Sequence, residues 1–256
     1  MLAERGLFES RARAAAAVLA GEVRIGSHGQ RARKPGQMVG DDVAIAVDER
    51  PRFVSRGGEK LANALDELAL EPCGRRAMDV GASTGGFTDC LLARGAREVT
   101  VVDVAYGELS WKLREDPRVT LLERTNVRGL TSEMLPYRPD LVVIDVSFIS
   151  LRKVLPAVVA VVAPRFDVLA LVKPQFELGP GRVGRGGVVR DSEGRREALV
   201  GIGRFARDEL RLAVLGYASS ELPGPAGNRE TFVWLAEPLR KGAREDLEAA
   251  ARRAEP

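Results

Sequence analysis

Between residues 76 and 172 five short apolar runs alternate with stretches of helical pattern, and this alternation constrains the fold more than any other feature. The runs are 76–80, 98–104, 119–123, 141–146 and 168–172. Helices are expected at 88–94, 109–114 and 151–162, after a first helix at 59–68 with Leu61, Ala64, Leu65 and Leu68 on one face. Repetition of this kind builds a parallel sheet covered by helices on both sides. A helix over 191–208 then leads to strand patterns at 212–218 and 231–236. Only a short loop separates those two, so they should pair antiparallel. The expected class is α/β: a Rossmann-like sheet of seven mostly parallel strands ending in an antiparallel hairpin.

Ahead of that body, residues 1–49 read as a small α+β unit. Ser10 can cap a helix over 11–20, Gly21 ends it, and 22–25 and 43–47 look like strands. Residues 50–57 form a linker, 58–238 the main domain, and 239–256 a polar helical tail with no assignable role. The net charge is only +3, but within residues 1–40 seven cations, Arg5, Arg11, Arg13, Arg24, Arg31, Arg33 and Lys34, face only Glu4, Glu9 and Glu22. A basic end on a near-neutral body suggests a polyanionic partner, with a plain solvated face as the alternative.

Cys73 and Cys90 make no disulfide framework, and the one histidine, His28, lies in a turn-like stretch. Catalysis by a histidine base or at a histidine-rich metal centre is therefore not expected. Arg5 and Glu9 interrupt any signal peptide, and Pro156, Pro164, Arg165 and Asp167 break the one long apolar stretch. A cytoplasmic protein with no membrane partner is expected.

The segment Met78-Asp79-Val80-Gly81-Ala82-Ser83-Thr84-Gly85-Gly86-Phe87-Thr88 follows a strand and opens a helix, where bare backbone can approach a ligand. Asp103 ends the next strand, in place to bind ribose hydroxyls. A dinucleotide would want a glycine where Ser83 stands, and Asp79 would repel a pyrophosphate. The same carboxylate could accept from an ammonium group, so S-adenosylmethionine is the preferred cofactor. Its site is expected at Asp79, Gly81, Ala82, Ser83, Thr84, Gly85, Gly86, Phe87, Asp103, Val104, Asn126 and Phe148.

Of 39 basic residues only six are lysines. A chain that uses arginine wherever charge suffices invites a question about each lysine, because a desolvated lysine can give up its proton and arginine cannot. Lys173 leaves the apolar strand 168–172 at its C-terminal edge, and Asp145 sits at the end of another apolar run. Open α/β sheets bind ligands at that edge. A purely structural Lys–Asp pair is the alternative.

Residues 79–88, Ile144-Asp145-Val146-Ser147-Phe148-Ile149-Ser150, Val172-Lys173-Pro174-Gln175-Phe176-Glu177 and Gly227-Asn228-Arg229-Glu230 together resemble the TlyA (hemolysin A) family, relatives of the FtsJ-type RNA 2′-O-methyltransferases. Glu4-Arg5-Gly6-Leu7-Phe8-Glu9-Ser10-Arg11 and Ala20-Gly21-Glu22-Val23 resemble an S4 RNA-binding domain, with fewer residues before its first helix than such domains usually carry. The resemblance implies a class I S-adenosylmethionine-dependent methyltransferase acting on cytidine ribose. The substrate it implies is large-subunit and, for some members, small-subunit ribosomal RNA. It also implies a catalytic tetrad at Lys60, Asp145, Lys173 and Glu230, in a chain that acts as a monomer. Lys173 would then be the base or only a positioner of the 2′-hydroxyl.

Phe148 could stack on a flipped nucleotide or on adenine, or be a core aromatic. The loop 178–190, with Gly179, Gly181, Gly184, Gly186, Gly187, Arg182, Arg185 and Arg190, reads as a lid or phosphate-contacting segment, or as a flexible connection. Arg5, Arg11, Arg13, Lys34, Arg56, Arg182 and Arg185 are the expected RNA contacts. Three rival readings remain: a membrane-active cytolysin, a non-catalytic S4-type RNA-binding protein, and an NAD-dependent oxidoreductase.

Overall fold

A computed structural model describes every residue of the chain except 20, 28, 48–50, 185 and 256, so His28 and Arg185 lie outside the described residues. The chain divides into two compact units, Met1–Arg52 and Phe53–Pro256.

The first unit packs helix α1 (Arg11–Leu19) on a three-stranded antiparallel sheet of β1 (Val23–Ile25), β2 (Gln30–Arg31) and β3 (Ile45–Val47), in the order β2-β1-β3. Its core is small: Ala17, Val18 and Val23 are buried, and Leu2, Phe8, Ile25, Ala32 and Ile45 pack against them. β2 escapes a periodicity reading because two residues carry no period.

The second unit begins with α2 (Arg56–Leu68) and then winds β4 (Arg76–Val80), α3 (Gly86–Ala93), β5 (Glu98–Val102), α4 (Trp111–Arg114) and β6 (Val119–Leu122). It continues through β7 (Leu141–Ile144), α5 (Leu155–Val161), β8 (Asp167–Val172), α6 (Pro174–Glu177), α7 (Ser192–Arg204), β9 (Ala213–Ser219), β10 (Thr231–Ala236) and α8 (Leu247–Ala254). The seven strands lie in the order β6-β5-β4-β7-β8-β10-β9, with β10 antiparallel to both neighbours and the other pairings parallel. Strand period decides the two layers. In β7 and β8, Val142, Ile144, Val168, Ala170 and Val172 join the layer with α5, α7 and α8, whereas Leu141, Val143, Leu169 and Leu171 join the layer with α2 and α3.

Three expected elements differ. The runs 98–104 and 141–146 are strands only to Val102 and Ile144, because the chain turns at Asp103 and Asp145 toward the ligand edge. The helix expected at 151–162 is a 3-10 turn, Leu151–Lys153, followed by α5, whose N-terminus holds Pro156. The polar tail is part of the second unit. Its helix α8 buries Leu247, Ala250, Ala251 and Ala254, Glu255 binds the buried Arg195 at 2.8 Å, and Arg244 N–H donates to Val214 O at 2.7 Å. That segment thus covers the outer strand β9, whose backbone would otherwise be open to a further strand.

Candidate active site

The sheet changes direction of winding between β4 and β7, and a crevice opens where their following loops diverge. Gly81 leaves β4 there at φ +83°, and a Cβ on it would lie 2.4 Å from the Asp145 carbonyl oxygen. Only glycine permits both that conformation and that approach. Ser83 is also left-handed, at φ +48°, and two bonds hold it: its N–H donates to Asp103 Oδ2 at 2.8 Å and its hydroxyl donates to Glu108 Oε2 at 3.1 Å.

Two clefts meet at this turn. The first, of about 410 Å³, is bordered by Gly81, Ser83, Asp103, Val104, Glu108, Asn126 and Phe148, with Val80, Val102, Val127 and Ile149 as apolar walls. Three carboxylates, Asp103, Glu108 and Asp145, border it, and among the described residues no lysine or arginine does. Such a site is unfavourable for a pyrophosphate and favourable for a ligand with ribose hydroxyls and a positive charge.

The second cleft, of about 340 Å³, takes in Ala82, Thr84, Gly86 and Phe87 together with Arg56 and the four expected tetrad residues. Strand register explains the convergence. Thr231 pairs with Val172, so Glu230 and Lys173 extend from facing positions of β10 and β8. Asp145 follows Ile144, which pairs with Val80 of β4. Lys60 comes from the first turns of α2. Its Nζ lies 2.5 Å from Glu230 Oε2, with both side chains buried. Lys173 Nζ lies 2.5 Å from Asp145 Oδ1 as a charge contact and donates to Ser147 Oγ at 2.9 Å. Gly81, Ser83, Asp145 and Ser147 border both clefts.

Other expected residues stand differently. Asp79 borders neither cleft; it is fully buried, one oxygen accepts from Thr88 Oγ1 at 2.6 Å, and Oδ1 has no partner. Burial pushes its carboxyl up to about 7 against the pull of the Thr88 hydrogen bond. An exposed acceptor for an ammonium group is therefore not what this side chain presents. Gly85 also borders neither cleft and instead caps α3. Phe148 is 91% exposed at φ +63°, its ring 5.2 Å from that of Phe176, so it is not a core aromatic.

Of the expected RNA contacts, Arg5 is engaged within the first unit, donating to the backbone carbonyls of Val43 and Asp41. Arg11 pairs with Glu4 at 2.8 Å, Arg13 with Glu9 at 2.7 Å and Arg182 with Glu197 at 2.8 Å, all on the surface. Lys34 and Arg56 are exposed. The sequence reading missed Ser147, Glu108 and Gly224. Ser147 stood in plain view two residues after Asp145. A Cβ on Gly224 would lie 2.4 Å from Glu230 Oε1, a proximity that follows only from the return of the loop before β10.

The buried Asp79 gives a pH dependence. Its folded carboxyl sits above its ordinary 3.8, so the stability it contributes is present below that value and is lost as pH rises through about 7. Asp79→Asn removes the loss. Thermal melts of the two proteins at pH 5 and pH 8 should show the variant gaining on the wild type at the higher pH.

Residues 53–237 match the FtsJ-like methyltransferase family model. The chain is 51% identical to the 16S/23S rRNA (cytidine-2′-O)-methyltransferase TlyA of Mycobacterium tuberculosis, over 91% of this chain and 87% of that protein. It is 43% identical to a candidate rRNA methyltransferase of Bacillus subtilis, over 92% of this chain and 83% of that one. A solved structure of a candidate hemolysin from Streptococcus thermophilus superposes with a TM-score of 0.75 at 37% identity, covering 97% of this chain and 91% of the other. No helix among the described residues is long and apolar enough to cross a membrane. By sequence and by fold, the chain belongs to the TlyA family of FtsJ-like methyltransferases.

Proposed function

We propose that this protein methylates the 2′-hydroxyl of a cytidine in ribosomal RNA, using S-adenosylmethionine. The observation that carries the reading is the pair of clefts: one acidic and, among the described residues, without lysine or arginine, the other holding two lysine–carboxylate pairs, joined at Asp145 and Ser147. Bound in the first cleft, the cofactor supplies an electrophilic methyl group at a cationic sulfur. Asp103 and Glu108 would accept from its ribose hydroxyls, and the glycine turn would let backbone approach it.

The chain's own work in the second cleft is to hold the ribose oxygen and manage its proton. Lys173 Nζ donates to Ser147 Oγ and lies against Asp145 Oδ1 as a charge contact, which leaves it able to meet the 2′-oxygen. Transfer of one Nζ proton to Asp145 Oδ1 would leave an amine lone pair for the 2′-hydroxyl; Nζ then takes the hydroxyl proton as the C–O bond forms and the carbon–sulfur bond breaks, so charge and protons balance. Lys60, held by Glu230, keeps a second positive charge in the cleft and limits where the oxygen can sit. Positioning of the two partners supplies much of the acceleration.

In this reading the first unit is an S4-type RNA-docking module, with Lys34, Arg11 and Arg13 meeting phosphates. The surface ion pairs of Arg11 with Glu4 and of Arg13 with Glu9 are weak and exchange readily for RNA. Affinity for ribosomal RNA should fall steeply between low and moderate salt, which filter binding across a salt series measures; a flat profile contradicts phosphate contact. We read the protein as a cytoplasmic monomer.

The glycine before the last tetrad member gives a local test. Gly224→Ala should displace the Glu230 carboxylate and lower the methylation rate about tenfold or more, the loss expected when a positioned polar partner is shifted. Steady-state rates with saturating cofactor check it. Methyl incorporation into ribosomal subunits, with a Lys173→Ala control, tests the function itself.

A further inference from the structure

We propose that Glu177 is a positioning residue, clamping the loop 145–151 to the strand exit that carries Lys173. The inference rests on the methyltransferase reading of this site and adds to it a residue outside the tetrad.

Lys173 leaves β8 into the single-turn helix α6, and Glu177 is the last residue of that turn. Its carboxylate reaches across to the other loop at the seam of the clefts. Oε2 accepts from Ser150 Oγ at 2.6 Å and Oε1 accepts from the Leu151 N–H at 2.8 Å. No lysine or arginine lies within ion-pair distance of it among the described residues, so these two donors are its close partners, with the Arg152 charge acting from farther away. Burial pushes its carboxyl above the ordinary range, which marks the side chain as partly taken out of water for this contact.

The loop needs holding. Phe148 sits at φ +63°, a left-handed conformation that is unfavourable for an aromatic residue and persists only when its surroundings over-determine it. Four links run from the Lys173 side to this loop: Lys173 Nζ to Asp145 Oδ1 and to Ser147 Oγ, the Phe176 ring to the Phe148 ring, and Glu177 to Ser150 and Leu151. The first two start from one long flexible side chain, and the third joins a ring that is mostly in water. Glu177 supplies the link with two bonds to a short stretch of backbone and its cap. Without it, Ser147 and Phe148 no longer share a fixed register with Lys173, although the tetrad itself is intact.

The test is a double-mutant cycle of Glu177→Ala with Phe148→Ala, with Glu177→Gln as the conservative control. Phe148→Ala removes an exposed side chain and leaves the fold alone. Glu177→Ala should lower kcat about tenfold, the size expected when buried donors lose their acceptor. Phe148→Ala should then add less than about twofold in the Glu177→Ala background while costing more than that in the wild type. Glu177→Gln should stay near wild type, because its carbonyl still accepts from Leu151 and its amide can donate to the Ser150 hydroxyl. A contact that only stabilises the fold would lower Tm and leave the Phe148→Ala effect at full size; penalties that multiply in this way overturn the proposal. Hydrogen exchange of the peptide spanning 146–151 gives a readout that needs no RNA. Protection there should drop in Glu177→Ala, be kept in Glu177→Gln, and be unaltered over 79–88. Unchanged protection over 146–151 overturns the proposal as well. If the wild-type protein itself methylates no ribosomal RNA, the functional reading fails, while the exchange experiment still decides the clamp.

Discussion

Lys173→Ala is expected to abolish methyl transfer, lowering the rate by about a hundredfold or more, while the protein still binds S-adenosylmethionine. Lys173 borders the second cleft and not the first, so removing it leaves the cofactor cleft intact. Lys173→Arg should be nearly as damaged. A guanidinium keeps the charge but cannot hand a proton from the ribose oxygen to Asp145, and its planar fork does not fit the place of a compact ammonium between Asp145 and Ser147. Calorimetric cofactor binding alongside single-turnover rates separates the two effects. An active arginine variant would remove the proton-relay role and leave Lys173 a positioner only.

The second large effect falls on stability. Glu230→Ala leaves the Lys60 ammonium buried without its partner, and breaking a buried pair from one side costs about 3–5 kcal/mol. For a domain of this size that corresponds to a fall in Tm on the order of 10 °C. Replacing both partners, Lys60→Met with Glu230→Leu, should recover most of the Tm, since the desolvation of two charges is removed together. Activity should stay lost in the double variant. A double variant as unstable as the single one would mean that the pair is held by something other than mutual compensation. Recovery of both stability and activity would remove Lys60 and Glu230 from the catalytic set.

Much of this was legible in the sequence, for physical reasons. Buried parallel strands are near-continuous apolar runs, so β7 and β8 announce themselves, and the hairpin of β9 and β10 follows from their short connection. Asp145 and Lys173 stand out because charge at the end of such a run must emerge at the sheet edge. Ion-pair partners were another matter. That Glu230 holds Lys60, across 170 positions of sequence, depends on β10 inserting antiparallel beside β8. The burial of Asp79 was equally hidden, because an acidic residue before a glycine turn reads as a ligand group whether it faces the cleft or the core. Charge counting also misled at Arg5, whose guanidinium is used by backbone carbonyls of its own unit. The tail looked polar because alanines dominate its buried face: Ala250, Ala251 and Ala254 fill a shallow seat that a hydropathy reading cannot distinguish from a solvated helix.

The central claim is tested most directly by supplying labelled S-adenosylmethionine with small and large ribosomal subunits that lack the modification, and mapping the product nucleotide. Label is expected on the 2′-oxygen of a cytidine in at least one subunit, and none with the Lys173→Ala protein. Label on a base rather than a ribose, or no label from a protein that binds the cofactor, would contradict it.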